Sequence, residues 1–293
     1  MADRFVFVKH DHLVPFSGRF RIRQAPTAPP KKLRANDQNR AALAAAIGQM
    51  QTQQARLLAN DRRALLVVFQ ALDAAGKDGT IKAVMSGVNP AGCEVHSFKA
   101  PSTLELDHDF LWRTATRMPE RGRIGIFNRS HYEEVLVVKV HREILEHQRL
   151  PAMPKLGRLW KERYDSIRSF EKHLARNGTT IVKFFLHVSK KEQKQRFLDR
   201  IADPEAHWKF DPRDVREREH FAAYQSAYED ALRETSREWA PWYAIPADDK
   251  DYTRRTVAEI LVATLRKMDI RYPEPTREQR AAMTAAKRAI ENE

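Results

Sequence analysis

At 293 residues with a formal net charge of +13, the chain is long enough for one substantial core, so a large α/β domain with helical extensions is expected rather than two independent domains. The basic excess predicts a polyanionic partner, whether nucleic acid, an anionic membrane surface or a phosphate-rich small molecule, without choosing among them. The single cysteine, Cys93, excludes an intramolecular disulfide and a multi-cysteine metal site, while the absence of a leader-like start or a membrane-length apolar run leads us to expect a soluble cytoplasmic protein.

Residues 1–34 mix proline with lysine and arginine in APTAPPKKLR, and an extended arm lying over the main domain is expected. From Asn36 to Asn60, a composition rich in alanine, leucine and glutamine with no interior proline predicts a long helix. The apolar, partly β-branched run Leu65 to Phe69 suits a strand buried on both faces of a parallel sheet. It stops at Asp73-Ala74-Ala75-Gly76-Lys77-Asp78-Gly79-Thr80, where small side chains leave backbone amides open to an anion at a helix start. Against the pattern G-x-x-x-x-G-K-[ST], Ala71 stands for the first glycine and Asp78 for the magnesium-binding hydroxyl. Strand before and helix after make this a phosphate-binding loop rather than an ordinary turn.

A helix from Ile81 to about Val88 is expected to end at Asn89-Pro90, followed by a second strand over Cys93 to Ala100, with Cys93 an ordinary buried strand residue. Ser102 and Glu105 form a helix-start pattern, and one helix through Phe110, Leu111 and Arg113 should end before Pro119, placing Arg113 and Arg117 on one face. Arg123 to Arg129 predicts a third strand with Asn128 and Arg129 at its carboxyl edge, where parallel sheets place their chemistry. Ser130 is a candidate cap for a helix carrying His131, Tyr132, Glu133 and Glu134; packing against the sheet is the expected role of His131 and Tyr132.

Trp160, Tyr164, Ile167, Phe170 and Leu174 recur at helical spacing and are expected in the core. A fourth strand, Thr179 to Val188, and a helix start at Ser189 with Glu192 follow. Between Arg196 and Arg218 arginines and one lysine crowd around a proline-interrupted connection, the composition a closing lid over phosphates needs; Trp208 is the expected anchor of that lid. A fifth strand over Trp242 to Ala247, a helix from about Thr253 to Met268 and a charged helical tail from Thr276 complete the chain.

Three segments together resemble one family, the polyphosphate kinase 2 phosphotransferases: ALDAAGKDGTIK at 71–82, GIFNRSHYEEV at 125–135 and RFLDRIADPEAHWKFDPRD at 196–214. The resemblance spans about residues 35–270 and implies a P-loop kinase fold similar to thymidylate kinase, in three layers around a five-stranded parallel sheet, with a helical lid at about 196–220. It further implies reversible, Mg2+-dependent transfer of a terminal phosphoryl group from inorganic polyphosphate to a nucleotide. Asn128 and Glu133 resemble the subgroup that accepts both AMP and ADP, with Glu133 at the position linked to the monophosphate. On this organisation residues 1–34 are an arm, 35–270 the kinase domain and 271–293 a helical tail, and a homo-oligomer, dimer or tetramer, is expected.

The residue chemistry runs parallel. Lys77 and the loop from Ala74 to Thr80 would cradle phosphates, while Arg129, Arg196 and Arg200 would clamp the transferring group with planar guanidinium forks. Asp73 is the expected magnesium ligand or general base, because Asp78 and Asn128 replace the usual hydroxyl and acid. Lys82, Lys99, Arg113, Arg117, Arg123 and Lys209 are candidates to track a polyphosphate chain, with two or three of them expected to be plain surface cations. An ATP-dependent nucleoside monophosphate kinase would use the same loop and lid, but Asp78 and the missing acid at 128 suit a conventional ATP-magnesium site poorly. A nucleic-acid-binding protein ranks lower, since no helix-turn-helix, zinc or aromatic RNA-binding signature is present. No membrane partner is expected.

Overall fold

The structure is a computed structural model that describes residues 5–33, 36–151 and 155–292. The expected boundary between arm and domain at 34/35, the first four residues of the arm and the last residue of the tail lie outside the described residues. In chain order the elements are α1 (Asn36–Asn60), β1 (Ala64–Ala71), α2 (Lys77–Val84), β2 (Cys93–Ser97), α3 (Thr103–Leu106), α4 (Trp112–Ala115), β3 (Ile124–Asn128) and α5 (Val137–Val140). They continue with α6 (Leu156–Arg176), β4 (Thr179–His187), α7 (Lys190–Ala202), α8 (Pro212–Glu217), α9 (Phe221–Thr235), β5 (Trp242–Pro246), α10 (Lys250–Lys267) and α11 (Arg277–Glu291).

All five strands are parallel, in the order β2-β3-β1-β4-β5. The apolar run of β1 is buried at every position, because β3 and β4 pair with its two edges and helices cover both faces. One face packs on α1, α2 and α10, with Met50, Leu57, Val84 and Leu261 in that layer. The other packs on α6 and α9, where Trp160, Tyr164 and Ile167 of the aromatic stripe meet Tyr228 and Leu232. Since β1 has its neighbours on opposite sides, the chain crosses over in opposite directions around it, and a crevice opens at its carboxyl end.

The arm packs along the β5 edge of the sheet. Leu13 bridges Tyr243 in antiparallel fashion, Val14 N donates to Trp242 O at 2.9 Å and Ala244 N to His12 O at 2.9 Å. This pairing satisfies backbone groups that an open edge would present to other chains. Phe20 and Ile22 then turn into the core beside α9.

Local chemistry moves several expected boundaries. The helix after the loop begins at Lys77 rather than Ile81, because Gly76 takes a left-handed backbone at its N-cap (φ 91°) and lets the helix start at once. The single helix expected over 102–118 is two separate turns: the Asp109 carboxylate accepts from Leu111 N at 2.9 Å and competes with helix propagation. After β3, residues His131–Val135 form a 3-10 turn capped by Ser130, whose hydroxyl accepts from Tyr132 N. His131 and Tyr132 are buried as packing residues. Trp208, expected as an anchor, is 79% exposed.

One charged group sits in mid-sheet. Lys183 of β4 is fully buried, and its Nζ donates to Glu171 of α6 at 2.7 Å, to the Tyr132 hydroxyl at 2.7 Å and to Thr235 O at 3.0 Å. Tyr132 in turn donates to Glu171 Oε1 at 2.9 Å. Burial pushes the Lys183 ammonium down to about 8 while Glu171 pulls it the other way. For Glu171, burial pushes upward but the Lys183 ammonium holds the carboxyl below its usual range. The network joins β4, α6, the end of α9 and the turn after β3. Lys183→Met should cost about 3–5 kcal/mol by stranding a buried carboxylate, and a Lys183→Met/Glu171→Leu pair should recover most of that loss in urea unfolding midpoints.

Candidate active site

The carboxyl ends of β1 and β3 bring two of the three motifs together. Leaving β1, the chain runs through Leu72 and Asp73 into Ala74, whose φ of +60° is left-handed, then Ala75 and Gly76. Thr80 locks the loop onto α2, both its amide and its hydroxyl donating to Gly76 O at 2.9 Å. Lys77 opens α2 and reaches across the crevice, with Nζ donating to Asn128 Oδ1 at 2.5 Å. The Asn128 amide group donates on to Asp78 at 2.7 Å. Burial, then the nearby Arg129 guanidinium, pushes the Lys77 ammonium below its usual value. A lysine so held is a fixed positive group at the mouth of the loop amides.

Arg129, one residue beyond β3, also has a left-handed backbone, with φ of +64°, and its amide donates to Phe69 O at 3.1 Å. That twist turns the guanidinium back over the loop. Its two terminal nitrogens donate to Asp73 at 2.8 Å and to Glu133 at 3.2 Å. Glu133 first, against the opposing effect of burial, raises the guanidinium further above its ordinary value, with Asp73 adding to it. Lys77, Asn128 and Asp78 thus form one bonded group and Asp73, Arg129 and Glu133 another, close enough for the Arg129 guanidinium to act on the Lys77 ammonium.

The lid residues divide. Arg196, expected to clamp a substrate phosphate, is 8% exposed and faces the loop from behind. Its guanidinium donates to Ala75 O at 2.8 Å, Ala74 O at 3.3 Å and Ala247 O at 2.6 Å, with Nε on Glu192 at 2.9 Å. It braces the loop against α7 and the end of β5, and its donors already have protein acceptors. Gln193 adds a second brace by donating to Asp73 O at 3.0 Å. Arg200 lies one turn further along α7 and pairs with Asp214 of α8 at 3.1 Å, linking the two limbs of the lid.

The six cations chosen to track a chain are scattered. Lys82 on α2, Lys99 just after β2 and Arg117 just after α4 are exposed. Arg113 instead holds the β2–β3 connection together, donating to Lys99 O at 2.7 Å and lying near Glu105 and over the Phe98 ring. Arg123 precedes β3 at the amino edge of the sheet, opposite the crevice, where it pairs with Glu94 and Glu120. It cannot line this site, as its place at the start of the expected strand already implied. Lys209 falls in the short turn Pro204–Lys209 of the lid, and its side chain lies outside the described residues.

Asp214, Glu217, Arg218, Tyr224 and Tyr228 complete the cavity over Asp73, Arg129 and Glu133, and none of the tyrosines was singled out in the sequence. Tyr224 and Tyr228 lie one turn apart on α9, a spacing indistinguishable from core packing. Burial and then the facing Asp73 raise the Asp214 carboxyl, so acidic groups crowd one side of the cavity.

The sequence model of the family described as Polyphosphate kinase 2 matches residues 33–273. The chain belongs to that family. It is 55% identical over 221 residues to an ADP-polyphosphate phosphotransferase of Rhodopseudomonas palustris, covering 75% of this chain and 76% of that protein. It is 47% identical over 234 residues to an AMP/ADP-polyphosphate phosphotransferase of Meiothermus ruber, covering 80% and 84%. The crystal structure of polyphosphate kinase 2 from Arthrobacter aurescens superposes with a TM-score of 0.82 at 32% identity, over 96% of this chain and 99% of that one. The fold is thus the P-loop kinase-like α/β fold of polyphosphate kinase 2, with its five parallel strands in place.

Removing the Arg196 brace should harm the site more than the fold. Arg196→Ala leaves loop carbonyls without donors and frees the loop, so turnover should fall by about a hundredfold. Arg196→Lys, which cannot present a planar fork to several carbonyls, should recover only part of it in steady-state assays.

Proposed function

We propose that the chain transfers the terminal phosphoryl group of inorganic polyphosphate to AMP and to ADP, forming ADP and ATP, reversibly and with Mg2+. What carries this reading is the convergence of Lys77, Asn128, Arg129 and Glu133, from the two family motifs, on one crevice at the carboxyl ends of β1 and β3. Phosphoryl transfer asks the protein for alignment and for positive charge at the transferring oxygens. Lys77 and the amides of Gly76 to Gly79 supply both on the loop side. Arg129 supplies a planar fork on the other, held in place by Asp73 and Glu133 before any substrate arrives. With the lid closed over them, water is excluded and hydrolysis of the donor is suppressed.

The donor set fits a hard cation held mainly by substrate. Asp73 offers one carboxylate and Asn128 brings no charge; among the described residues no cluster of three or more acidic, histidine or cysteine side chains could hold a metal alone. Mg2+ favours such a site, taking one or two carboxylates plus phosphate oxygens and water. Bound there, it would neutralise charge on the transferring phosphates, while Asp73 orients it.

Arm, kinase domain and tail form the organisation we favour, in a cytoplasmic protein. No described helix is long and apolar enough to cross a membrane. A homo-oligomer is supported by α11, on which no residue is buried although Met283 and Ile290 share an apolar stripe.

The test is ATP formation from AMP and from ADP with polyphosphate and magnesium as the only other reactants. ATP from both is expected; no product from either, in a folded protein that accepts ATP as donor, would overturn the reading. Lys77→Ala should lower turnover by roughly 10²–10³-fold or more with the unfolding midpoint little changed. Glu133→Ala removes one charge-assisted bond from Arg129, worth about 1.5–3 kcal/mol, and should depress AMP phosphorylation roughly tenfold more than ADP phosphorylation. Equal losses would reject the role of Glu133 in handling the monophosphate.

A further inference from the structure

Beyond the motifs, one polar cluster ties the lid to the body of the protein. His141 follows α5, and its two ring nitrogens meet two carboxylates: Nε2 lies 2.9 Å from Glu217 and Nδ1 3.2 Å from Glu143. A neutral imidazole has one donor and one acceptor, so only the imidazolium can donate to both. Glu217 is the last residue of α8, at the carboxyl-terminal root of the lid, and the same oxygen that meets His141 accepts from the Tyr224 hydroxyl at 2.8 Å. Glu217 and Tyr224 line the cavity together with Asp73, Arg129 and Glu133, whereas His141 stands behind them.

We propose that His141 is a positioning residue for the nucleotide pocket: it holds Glu217, and through Glu217 the Tyr224 ring, against the site, and so pins the root of the lid. The proposal rests on the reading of that cavity as the nucleotide pocket. Around His141 the charged and titratable groups are Glu143 on the following turn, Glu217 on α8, His220 between α8 and α9 with its ring 4.9 Å away, and Tyr224 on α9 at 6.3 Å. Burial pushes the imidazole down, yet hydrogen bonds and charge from Glu217 and Glu143 win and hold it above its usual value. The pin is therefore present below that raised value and is lost as pH rises through it. Glu217 is the lid's own contribution, so the clasp opens when either partner loses its charge.

Two variants separate this role from a merely structural one. His141→Gln removes the charge at every pH; His141→Lys keeps a cation that does not titrate between about pH 6 and pH 9. Hydrogen exchange of residues 212–222 without ligand, and the Kd for AMP by calorimetry, are measured for each at about pH 6 and about pH 9. Wild type should bind AMP about five- to tenfold more weakly at the higher pH, and residues 212–222 should show lower protection there once the intrinsic rise of amide exchange with pH is divided out; Gln should resemble that weaker state throughout and Lys the tighter one. If Gln exchanges like wild type at about pH 6, the pin is wrong. If exchange rises but the Kd for AMP stays within about twofold, the link to the nucleotide pocket is overturned. Neither measurement requires phosphoryl transfer, so a failure of the polyphosphate reading would show separately, as absence of ATP in the donor assay with binding and exchange behaving as described.

Discussion

Complete burial of β1 is the constraint on which the rest of the structure depends. A strand hydrogen-bonded on both edges and covered on both faces tolerates a polar side chain only where a partner is built for it, as Gln70 donates to the Ser130 hydroxyl, so its sequence is apolar from Ala64 to Phe69 and most of its polarity is displaced to its ends. The carboxyl end is where the chain must escape the sheet, and the escape leaves backbone amides uncovered. Neighbouring elements then converge on that exit. β3 delivers Asn128 and Arg129 beside it, and α7 delivers Arg196 and Gln193 behind it. The reaction centre gathers at the polar end of a strand that is apolar over most of its length.

This division explains how much of the protein was legible in its sequence. Five strands, the loop and the two motif clusters were readable because each announces itself locally, by an apolar run, a small-residue turn or a cap. Ser102 and Ser189 cap where their spacing to Glu105 and Glu192 says they should. What stayed hidden was orientation. Arg196 sits in a basic stretch and looked like a free clamp, but its guanidinium is folded inward onto two loop carbonyls and the Ala247 carbonyl just after β5. Arg123 was a candidate to line the polyphosphate path, but it precedes β3 at the amino edge of the sheet, opposite the crevice, and is paired there with Glu94 and Glu120. Lys183 interrupts an apolar strand, and only its partners on α6 and the turn after β3, remote in sequence, explain why it is tolerated. For Arg196 and Lys183, side-chain direction is fixed by residues far along the chain, which no local pattern encodes.

Charge is distributed less simply than the net excess suggests. The centre is a balanced mixture in which Lys77 and Arg129 are each held by oxygen acceptors, and the cavity above them adds Asp214 and Glu217. Cations available to an incoming polyanion are those at the periphery, such as Lys82, Lys99 and Arg117. Such an arrangement separates attraction from alignment: peripheral charge raises the local concentration of a polyanion and weakens with salt, whereas the inner groups, already ordered by one another, set its geometry.

The backbones of Ala74 and Arg129 share a property that reaches beyond geometry. Both are left-handed without being glycine, at φ +60° and +64°, and each such residue costs about 1–2 kcal/mol. The loop and its facing arginine are thus held out of their local minima by the surrounding fold. Glycine at 74 would relieve more strain than its larger unfolded ensemble costs, but it would loosen the amides that the loop presents. Robustness and function therefore draw on the same reserve at this position. Mutational drift toward a more relaxed loop runs down a thermodynamic slope, and the demands of alignment hold the strained residue in place.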